Sequence, residues 1–173
     1  TYWCFYSCTI RNFKIIASGY KPTEMNINEE GIELIKHFEG CKLDAYLCPA
    51  GVWTIGYGTT RYEDGSKVKQ GDKIQLGYAE LLLREDLRKF EVDIQKYVKS
   101  TLNEHQFSAL VSFVYNLGAR NFSISTLLKK VNKNPNDETI RGEFMKWVKA
   151  GGKTLNGLIK RREAEANLYF KKA

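Results

Sequence analysis

Histidine and cysteine, two side chains that often bind transition metals, are scarce in this sequence. Among 173 residues there are two histidines, His37 and His105, and four cysteines, at positions 4, 8, 41 and 48. The cysteine spacing matches no zinc-site pattern, and neither histidine is placed to complete one. We therefore predict no bound metal and no cofactor. The two close cysteine pairs are compatible with disulfides or with thiols, so they leave the redox compartment open.

Long apolar runs and nucleic-acid motifs are also missing. No apolar run approaches the ~20 residues of a membrane-spanning helix, which favours a soluble protein. The net charge of +7 favours an anionic partner, such as nucleic acid, an acidic membrane surface or a carboxylate-bearing polymer. Because no zinc-finger spacing, RNA-binding aromatic signature or isolated basic arm occurs, we predict no nucleic-acid partner.

The chain is long enough for one compact domain of ordinary stability. Residues 1–24 differ from the rest because they are rich in aromatic side chains and include two of the four cysteines. We predict that 1–24 are an N-terminal extension or leader and that 25–173 form one folded domain. A secretory signal would need a continuous apolar stretch of about 7 to 15 residues, and Arg11 and Lys14 interrupt that stretch.

Hydrophobic periodicity predicts a mixed fold. Asn28 is a predicted helix N-cap, a capping box begins at Asn103, and a further helix is expected to start at Asp137 and to end before Gly151-Gly152. In chain order we predict a helix at 28–39, strands between 43 and 69, a long amphipathic helix at 76–98, and helices at 103–118, 125–132, 137–149 and 158–170. The fold class is therefore α+β, with a small antiparallel β lobe and a mainly helical C-terminal lobe joined by the long helix.

Glu39 lies where the first helix is predicted to end. The helix dipole is negative at that end, and Phe38 beside it is apolar, so we expect the pKa of Glu39 to be raised. A carboxyl of this kind suits a general acid. Glycoside cleavage needs such a proton donor together with a second group that activates water or attacks the sugar. Residues 48–58, CPAGVWTIGYG, follow as a glycine-rich hairpin and are candidates for that second part.

Four segments carry a resemblance to a known family. They are residues 31–60, LNEHQFSALVSFVYNLGA at 102–119, STLLKKVN at 125–132 and NGLIKRREAEANLY at 156–169. They resemble the phage-type lysozymes, endolysins of glycoside hydrolase family 24 that are related to T4 lysozyme. The shared motif is a Glu, eight residues, a Cys or Asp, five residues and a Thr inside GxWTxGYG, with GLxxRR near the end.

The resemblance implies a lysozyme-like fold and a muramidase that cleaves the β-1,4 bond between N-acetylmuramic acid and N-acetylglucosamine in peptidoglycan. The implied catalytic residues are Glu39 as general acid, Thr54 to orient the attacking water, and Cys48 as base or nucleophile. The implied substrate-binding residues are Tyr57, Tyr115, Asn116 and Ser125. Two alternatives stay open: a lytic transglycosylase acting on the same bond, or a wall-binding protein with impaired catalysis.

Cys48 is the unusual member of this set. An ordinary thiol has a pKa near 8.5, so near neutral pH it carries little negative charge. The resemblance also allows a redox switch, in which a Cys41–Cys48 disulfide blocks the site until Cys4 or Cys8 attacks Cys41. Asp44 is another carboxylate nearby in sequence, and we predict that it faces solvent.

The resemblance also implies a location and a partner surface. An endolysin would occupy the host cytoplasm and then reach the periplasm at lysis, and we predict a monomer. The resemblance also matches Arg161 and Arg162 to the family's arginine pair, which holds the two lobes together rather than contacting sugar. Five basic residues near the C-terminus could attract the protein to the anionic wall or outer membrane, or form an ordinary charged helix face. They are Lys160, Arg161, Arg162, Lys171 and Lys172.

Overall fold

A computed structural model describes residues 25–172, and this part of the chain divides into two compact units. Unit 1 contains Glu39–Asp86, with Met25, and unit 2 contains Asn26–Phe38 and residues 87–172. The predicted extension or leader, with Cys4 and Cys8, lies outside the described residues.

The small sheet of unit 1 is an antiparallel hairpin of β1 (Lys42–Leu47) and β2 (Trp53–Gly56). The other edge of β1 also has partners, because the Ala45 N–H donates to the Asp72 carbonyl and the Ile74 N–H donates to the Leu43 carbonyl, each at 2.9 Å. β1 therefore has backbone hydrogen bonds on both edges, which removes the open edge that would invite another strand. The predicted small antiparallel β lobe is confirmed.

The two helices that begin and follow this sheet match the sequence pattern closely. α1 spans Glu29–Glu39, and the Asn28 side chain accepts from the Gly31 N–H at 2.9 Å, which confirms the predicted N-cap. Gly40 follows with φ of +67°, a left-handed conformation that ends the helix immediately after Glu39. α2 spans Leu76–Tyr97, in agreement with the long helix predicted at 76–98.

The amphipathic pattern of α2 predicts an apolar side, and this prediction is wrong in part. The predicted residues are Tyr78, Leu81, Leu82, Leu87, Phe90, Ile94 and Val98. Leu82, Leu87 and Ile94 are buried as expected, but Leu81 is 57% exposed and Leu83 is buried instead. The helix starts in unit 1 and ends in unit 2, so it does not bury one continuous stripe. A periodicity fitted to the whole helix therefore assigns some residues to the wrong side.

Unit 2 is built around α3 (Glu104–Leu117), and ten of its residues, 105–114, are all buried. The capping box predicted at Asn103 is present, since its side chain accepts from the Gln106 N–H at 2.8 Å and the Gln106 side chain accepts from the Asn103 N–H at 3.0 Å. The remaining elements are α4 (Ala119–Ser123), α5 (Thr126–Lys133), α6 (Ile140–Phe144), β3 (Lys149–Ala150), β4 (Lys153–Thr154) and α7 (Asn156–Tyr169). Within residues 25–172, no helix combines the length and apolar character that crossing a membrane requires.

The helix predicted at 137–149 is wrong. α6 covers only five residues of that range, and Asp137 accepts from the Thr139 N–H in a local turn instead of capping a long helix. Gly151 and Gly152, expected after a helix, instead form the turn between β3 and β4, with φ of +56° and +77°. Two successive residues at positive φ suit a two-residue hairpin turn, and glycine adopts that conformation without strain. The short helix α4 was not predicted.

Candidate active site

The hairpin between β1 and β2 positions two of the three predicted catalytic side chains. Cys48 begins the connecting turn: its carbonyl accepts from the Gly51 N–H at 2.8 Å, and its N–H donates to the Val52 carbonyl at 3.0 Å. Thr54 lies on β2, where it pairs with Tyr46. Cys48 is 3% exposed and Thr54 is fully buried.

Cys48 and Thr54 belong to the same face of this hairpin. The Tyr46–Thr54 pair is followed, two residues along each strand, by the hydrogen-bonded Cys48 and Val52. Because side chains alternate along a strand with a period of two, these four side chains share one face. Diagonal neighbours of this kind are typically about 7–8 Å apart.

One carbonyl oxygen connects the two residues directly. The Val52 carbonyl accepts both the Cys48 N–H, at 3.0 Å, and the Thr54 hydroxyl, at 3.1 Å. A threonine hydroxyl has a single proton to donate. While Thr54 gives that proton to Val52, its oxygen can accept a hydrogen bond from a water molecule.

Glu39 and Tyr57 also belong to unit 1. Glu39 is the last residue of α1 and is half-buried, three residues before β1 begins. Tyr57 is 6% exposed, at the tip of a turn closed by two backbone hydrogen bonds between Ile55 and Thr59, at 2.9 and 3.0 Å.

Position 59 is a threonine in this chain, and the structure shows what it does. The Thr59 hydroxyl donates to a carboxylate oxygen of Asp86 at 3.0 Å. Thr59 is itself buried, so this bond replaces contact with water and fixes the end of the Tyr57 turn to α2.

The three substrate-binding candidates of unit 2 occupy two helices. Tyr115 and Asn116 lie in the last turn of α3, where the Tyr115 ring packs edge-on against Phe90 with centroids 5.1 Å apart. Ser125 is the N-cap of α5: its hydroxyl accepts from the Leu128 N–H at 3.0 Å and donates to the Phe122 carbonyl at 2.7 Å. These bonds explain Ser125 as a helix cap, and its contact with substrate stays a prediction.

Asn116 is oriented by a buried ion cluster. The Asn116 side-chain oxygen accepts from Arg162 Nη2 at 2.8 Å, and Arg162 Nε lies 3.0 Å from Glu165 Oε2. Arg161 Nε and the Ser112 hydroxyl reach the other oxygen of Glu165, at 3.0 and 2.9 Å. Since Arg162 takes its oxygen, Asn116 presents its amide N–H groups to any further partner.

The basic C-terminal surface expected from the sequence is smaller than predicted. Arg161 and Arg162 are fully buried inside unit 2, where both pair with Glu165. Arg161 also donates to the Ser112 carbonyl and Arg162 to the Asn116 side chain. Lys171 forms an ion pair with Glu30 at 2.6 Å. Of the five residues, Lys160 and Lys172 remain as exposed positive charges.

Asp44 and the two cysteines of unit 1 differ in their exposure to solvent. The Asp44 side chain is 69% exposed and lies 2.7 Å from the Lys73 ammonium group, which confirms that it faces solvent. Cys41 is partly exposed and Cys48 is buried, and within residues 25–172 no disulfide joins them. In the same part of the chain, no group of three or more His, Cys, Asp or Glu side chains is arranged to hold a metal ion.

Comparison with known proteins agrees with this architecture. The Phage lysozyme family model matches residues 36–165. The chain belongs to the phage lysozyme family. It is 44% identical over 149 residues to an endolysin of Acyrthosiphon pisum secondary endosymbiont phage 1, a match that covers 84% of this chain and 98% of the relative. A crystal structure of a point mutant of P22 lysozyme superimposes with a TM-score of 0.78 at 36% identity, covering 86% of this chain and 100% of that one.

Other members of the phage lysozyme family differ in length and in name. A SAR-endolysin of Bacteriophage PS119 is 37% identical over 133 residues, which is 75% of each chain. Two endolysins of Bacillus phages are longer, and the chain spans about half of their length. Membership identifies the protein as a glycoside hydrolase with the lysozyme-like α+β fold, as predicted.

The sequence missed two contributors to the candidate site. The Val52 carbonyl could not be found from its residue type, because its role comes from its backbone. Glu165 follows Arg161 by four residues and Arg162 by three, the spacing of ion pairs on a helix. That signal was available, but spacing alone does not reveal that all three side chains are buried.

Proposed function

We propose that this protein is an endolysin, a muramidase that hydrolyses the β-1,4 bond between N-acetylmuramic acid and N-acetylglucosamine of bacterial peptidoglycan. Membership of the phage lysozyme family supports the reaction class. The observation that carries the assignment of roles is the hydrogen bonding around Val52, which brings a thiol and a hydroxyl to one face of the hairpin.

In the proposed mechanism, Glu39 acts on the leaving sugar, and Cys48 and Thr54 of the hairpin act on the attacking water. Glu39, at the end of α1, donates a proton to the oxygen of the leaving sugar. Thr54 accepts a hydrogen bond from the attacking water, because its own proton is committed to Val52. Cys48, as a thiolate, removes a proton from that water.

The first test compares side chains that differ by one group. Glu39→Gln removes the proton donor and should lower the hydrolysis rate about 10²- to 10⁴-fold. Thr54→Ser keeps a hydroxyl that can donate to Val52 and should retain most activity, whereas Thr54→Val should lose it. The measurement is the rate of release of soluble products from purified peptidoglycan, with urea unfolding midpoints to show that each variant is folded. Equal rates for Thr54→Ser and Thr54→Val would exclude the role given to this hydroxyl.

The role of Cys48 is tested by the pH profile. A thiolate base predicts that activity rises with pH through the titration of the thiol, for which the ordinary pKa is about 8.5. Cys48→Asp should shift that rise to about pH 4, the ordinary range of an aspartate, and Cys48→Ser should abolish it. An unchanged profile in Cys48→Asp would rule out Cys48 as the base. Product masses must show the addition of one water, since a transglycosylase would add none.

We also propose that the protein reaches the wall from the periplasm after synthesis in the host cytoplasm, and that it acts as a monomer. Similarity to relatives named SAR-endolysins supports periplasmic action. The small exposed charge left near the C-terminus gives little support for attraction to the outer membrane through α7. Cell fractionation before and during lysis tests the route, and sedimentation of the purified protein tests the monomer.

A further inference from the structure

Unit 1 contains an open groove of about 730 Å³ that none of the proposed catalytic residues lines. Its walls come from the loop after β2 and from the start of α2, and they include Tyr62, Asp64, Asp72, Gln75 and Tyr78. The groove is shallow and open to solvent, so a ligand bound there would keep part of its surface in water.

Hydrogen bonds fix the polar walls of this groove. The Tyr62 hydroxyl and the Lys69 N–H both donate to one oxygen of Asp72, each at 2.9 Å. Asp64 accepts from the Ser66 N–H at 2.8 Å. Burial and the neighbouring Asp72 carboxylate raise the pKa of Tyr62 to about 12, so the phenol stays neutral in ordinary buffers. The groove is therefore arranged before any ligand arrives, which lowers the entropic cost of binding.

The chemistry of the walls selects a class of ligand. Two tyrosine rings, one half-buried and one 40% exposed, offer apolar faces, while carboxylates and the Gln75 amide offer hydrogen-bonding groups. A sugar ring has the matching surface, with an apolar C–H face and hydroxyl groups around its rim. The groove is lined by three carboxylates, Glu63, Asp64 and Asp72, and by one ammonium group, Lys73. This excess of negative charge disfavours phosphate or carboxylate ligands.

We propose that this groove is a second glycan-binding site, which takes uncharged N-acetylhexosamine rings of the peptidoglycan strand. The inference rests on the proposed function, because it assumes that the polymer is the substrate. A site on the same unit as Glu39 would keep the enzyme on a strand between cleavage events and raise the effective concentration of the next bond. Short soluble fragments cannot occupy both sites, so they would gain nothing from it.

The test uses Tyr78→Ala, with Leu81→Ala as the matched control. Both residues are exposed on α2, but Leu81 does not line the groove. In a Glu39→Gln background, which prevents digestion, Tyr78→Ala should bind insoluble peptidoglycan about three- to tenfold more weakly, the scale of one lost aromatic contact. In the active protein, Tyr78→Ala should slow the digestion of intact wall and leave the rate on short soluble fragments unchanged. Equal binding by Tyr78→Ala and Leu81→Ala would overturn the proposal.

A second arm separates sugar from peptide. Binding of the Glu39→Gln protein is measured on N-acetylglucosamine oligomers, which carry neither stem peptides nor carboxylates. The difference between Tyr78→Ala and Leu81→Ala should persist on these oligomers, and its loss there would overturn the sugar assignment. If the active protein does not hydrolyse peptidoglycan but the difference persists, the proposed function fails while the groove remains a glycan site.

Discussion

The buried cluster around Glu165 makes the sharpest prediction about stability. Glu165, Arg161 and Arg162 are all fully buried, and the carboxylate accepts from Ser112, Arg161 and Arg162 at 2.9 to 3.1 Å. Glu165→Ala removes the carboxylate that faces both guanidinium groups. Breaking a buried ion pair from one side costs about 3–5 kcal/mol, because a charge stays behind in a medium of low dielectric. For a domain of this size that loss corresponds to a fall in Tm of about 10 °C.

Two further variants turn this expectation into a graded series. Ser112→Ala removes one hydroxyl from a charged acceptor and should cost about 1.5–3 kcal/mol. Glu163→Ala lies on the same helix at an exposed position and should change the free energy of unfolding by less than about 0.5 kcal/mol. Urea unfolding followed by circular dichroism gives the three values under one set of conditions. A Glu165→Ala protein as stable as Glu163→Ala would refute the claim that this cluster stabilises the packing of α3 against α7.

Three other predictions concern packing, pH and capping. Gly31→Ala should destabilise the protein by about 1–3 kcal/mol, because the new Cβ would lie 2.7 Å from Ser108 Cβ. The control Gly77→Ala meets no atom within 4 Å and should stabilise the protein by about 0.5–1 kcal/mol. Glu143→Gln should destabilise near neutral pH and less so near pH 3: burial raises the pKa of Glu143, but two lysine ammonium groups outweigh it and lower the pKa overall. Asn103→Ala should cost about 1 kcal/mol by removing a helix cap.

The sign of the pH prediction follows from linkage. A carboxyl whose pKa is lower in the folded protein adds stability above its unfolded pKa, near 4.5, and loses that contribution as the pH falls through the folded value. The urea midpoints of wild type and Glu143→Gln should therefore differ most near pH 6 and converge on acidification. A constant difference between pH 6 and pH 3 would contradict the ion-pair explanation.

Thermal unfolding at one pH suffices for the glycine pair and for Asn103→Ala.

The parts of the fold that could be predicted from the sequence are those set by contacts between residues close together in the chain. Asn28 and Asn103 are helix caps because their short polar side chains reach the first free N–H groups, so their residue types predict the structure directly. The Gly151-Gly152 pair does not, since glycine is equally at home after a helix and in a hairpin turn. In the structure the pair forms the turn between β3 and β4.

The candidate site shows the same limit. Glu39 was predicted as the acid from its place at the end of a helix, whereas Cys48 and Thr54 were predicted from the family resemblance, and all three roles stay predictions. Asn116 was predicted from the resemblance, but the hydrogen bond from Arg162 that orients it was not, because Arg162 lies 46 residues away in the chain. The resemblance implied a structural role for Arg161 and Arg162, but the count of basic residues near the C-terminus placed them on the surface, and such a count cannot show that they are buried.

The turn that begins at Cys48 has a consequence for how this position can change over evolution. Cys48, Pro49 and Gly51 occupy the first, second and fourth places of a hydrogen-bonded turn. Aspartate is among the residues most favoured at the first place of such a turn, with proline second and glycine fourth. Exchange between cysteine and aspartate therefore leaves the backbone undisturbed. The same turn therefore accepts a thiol or a carboxylate at its first place, so a lineage could replace this one residue without losing the fold on the way.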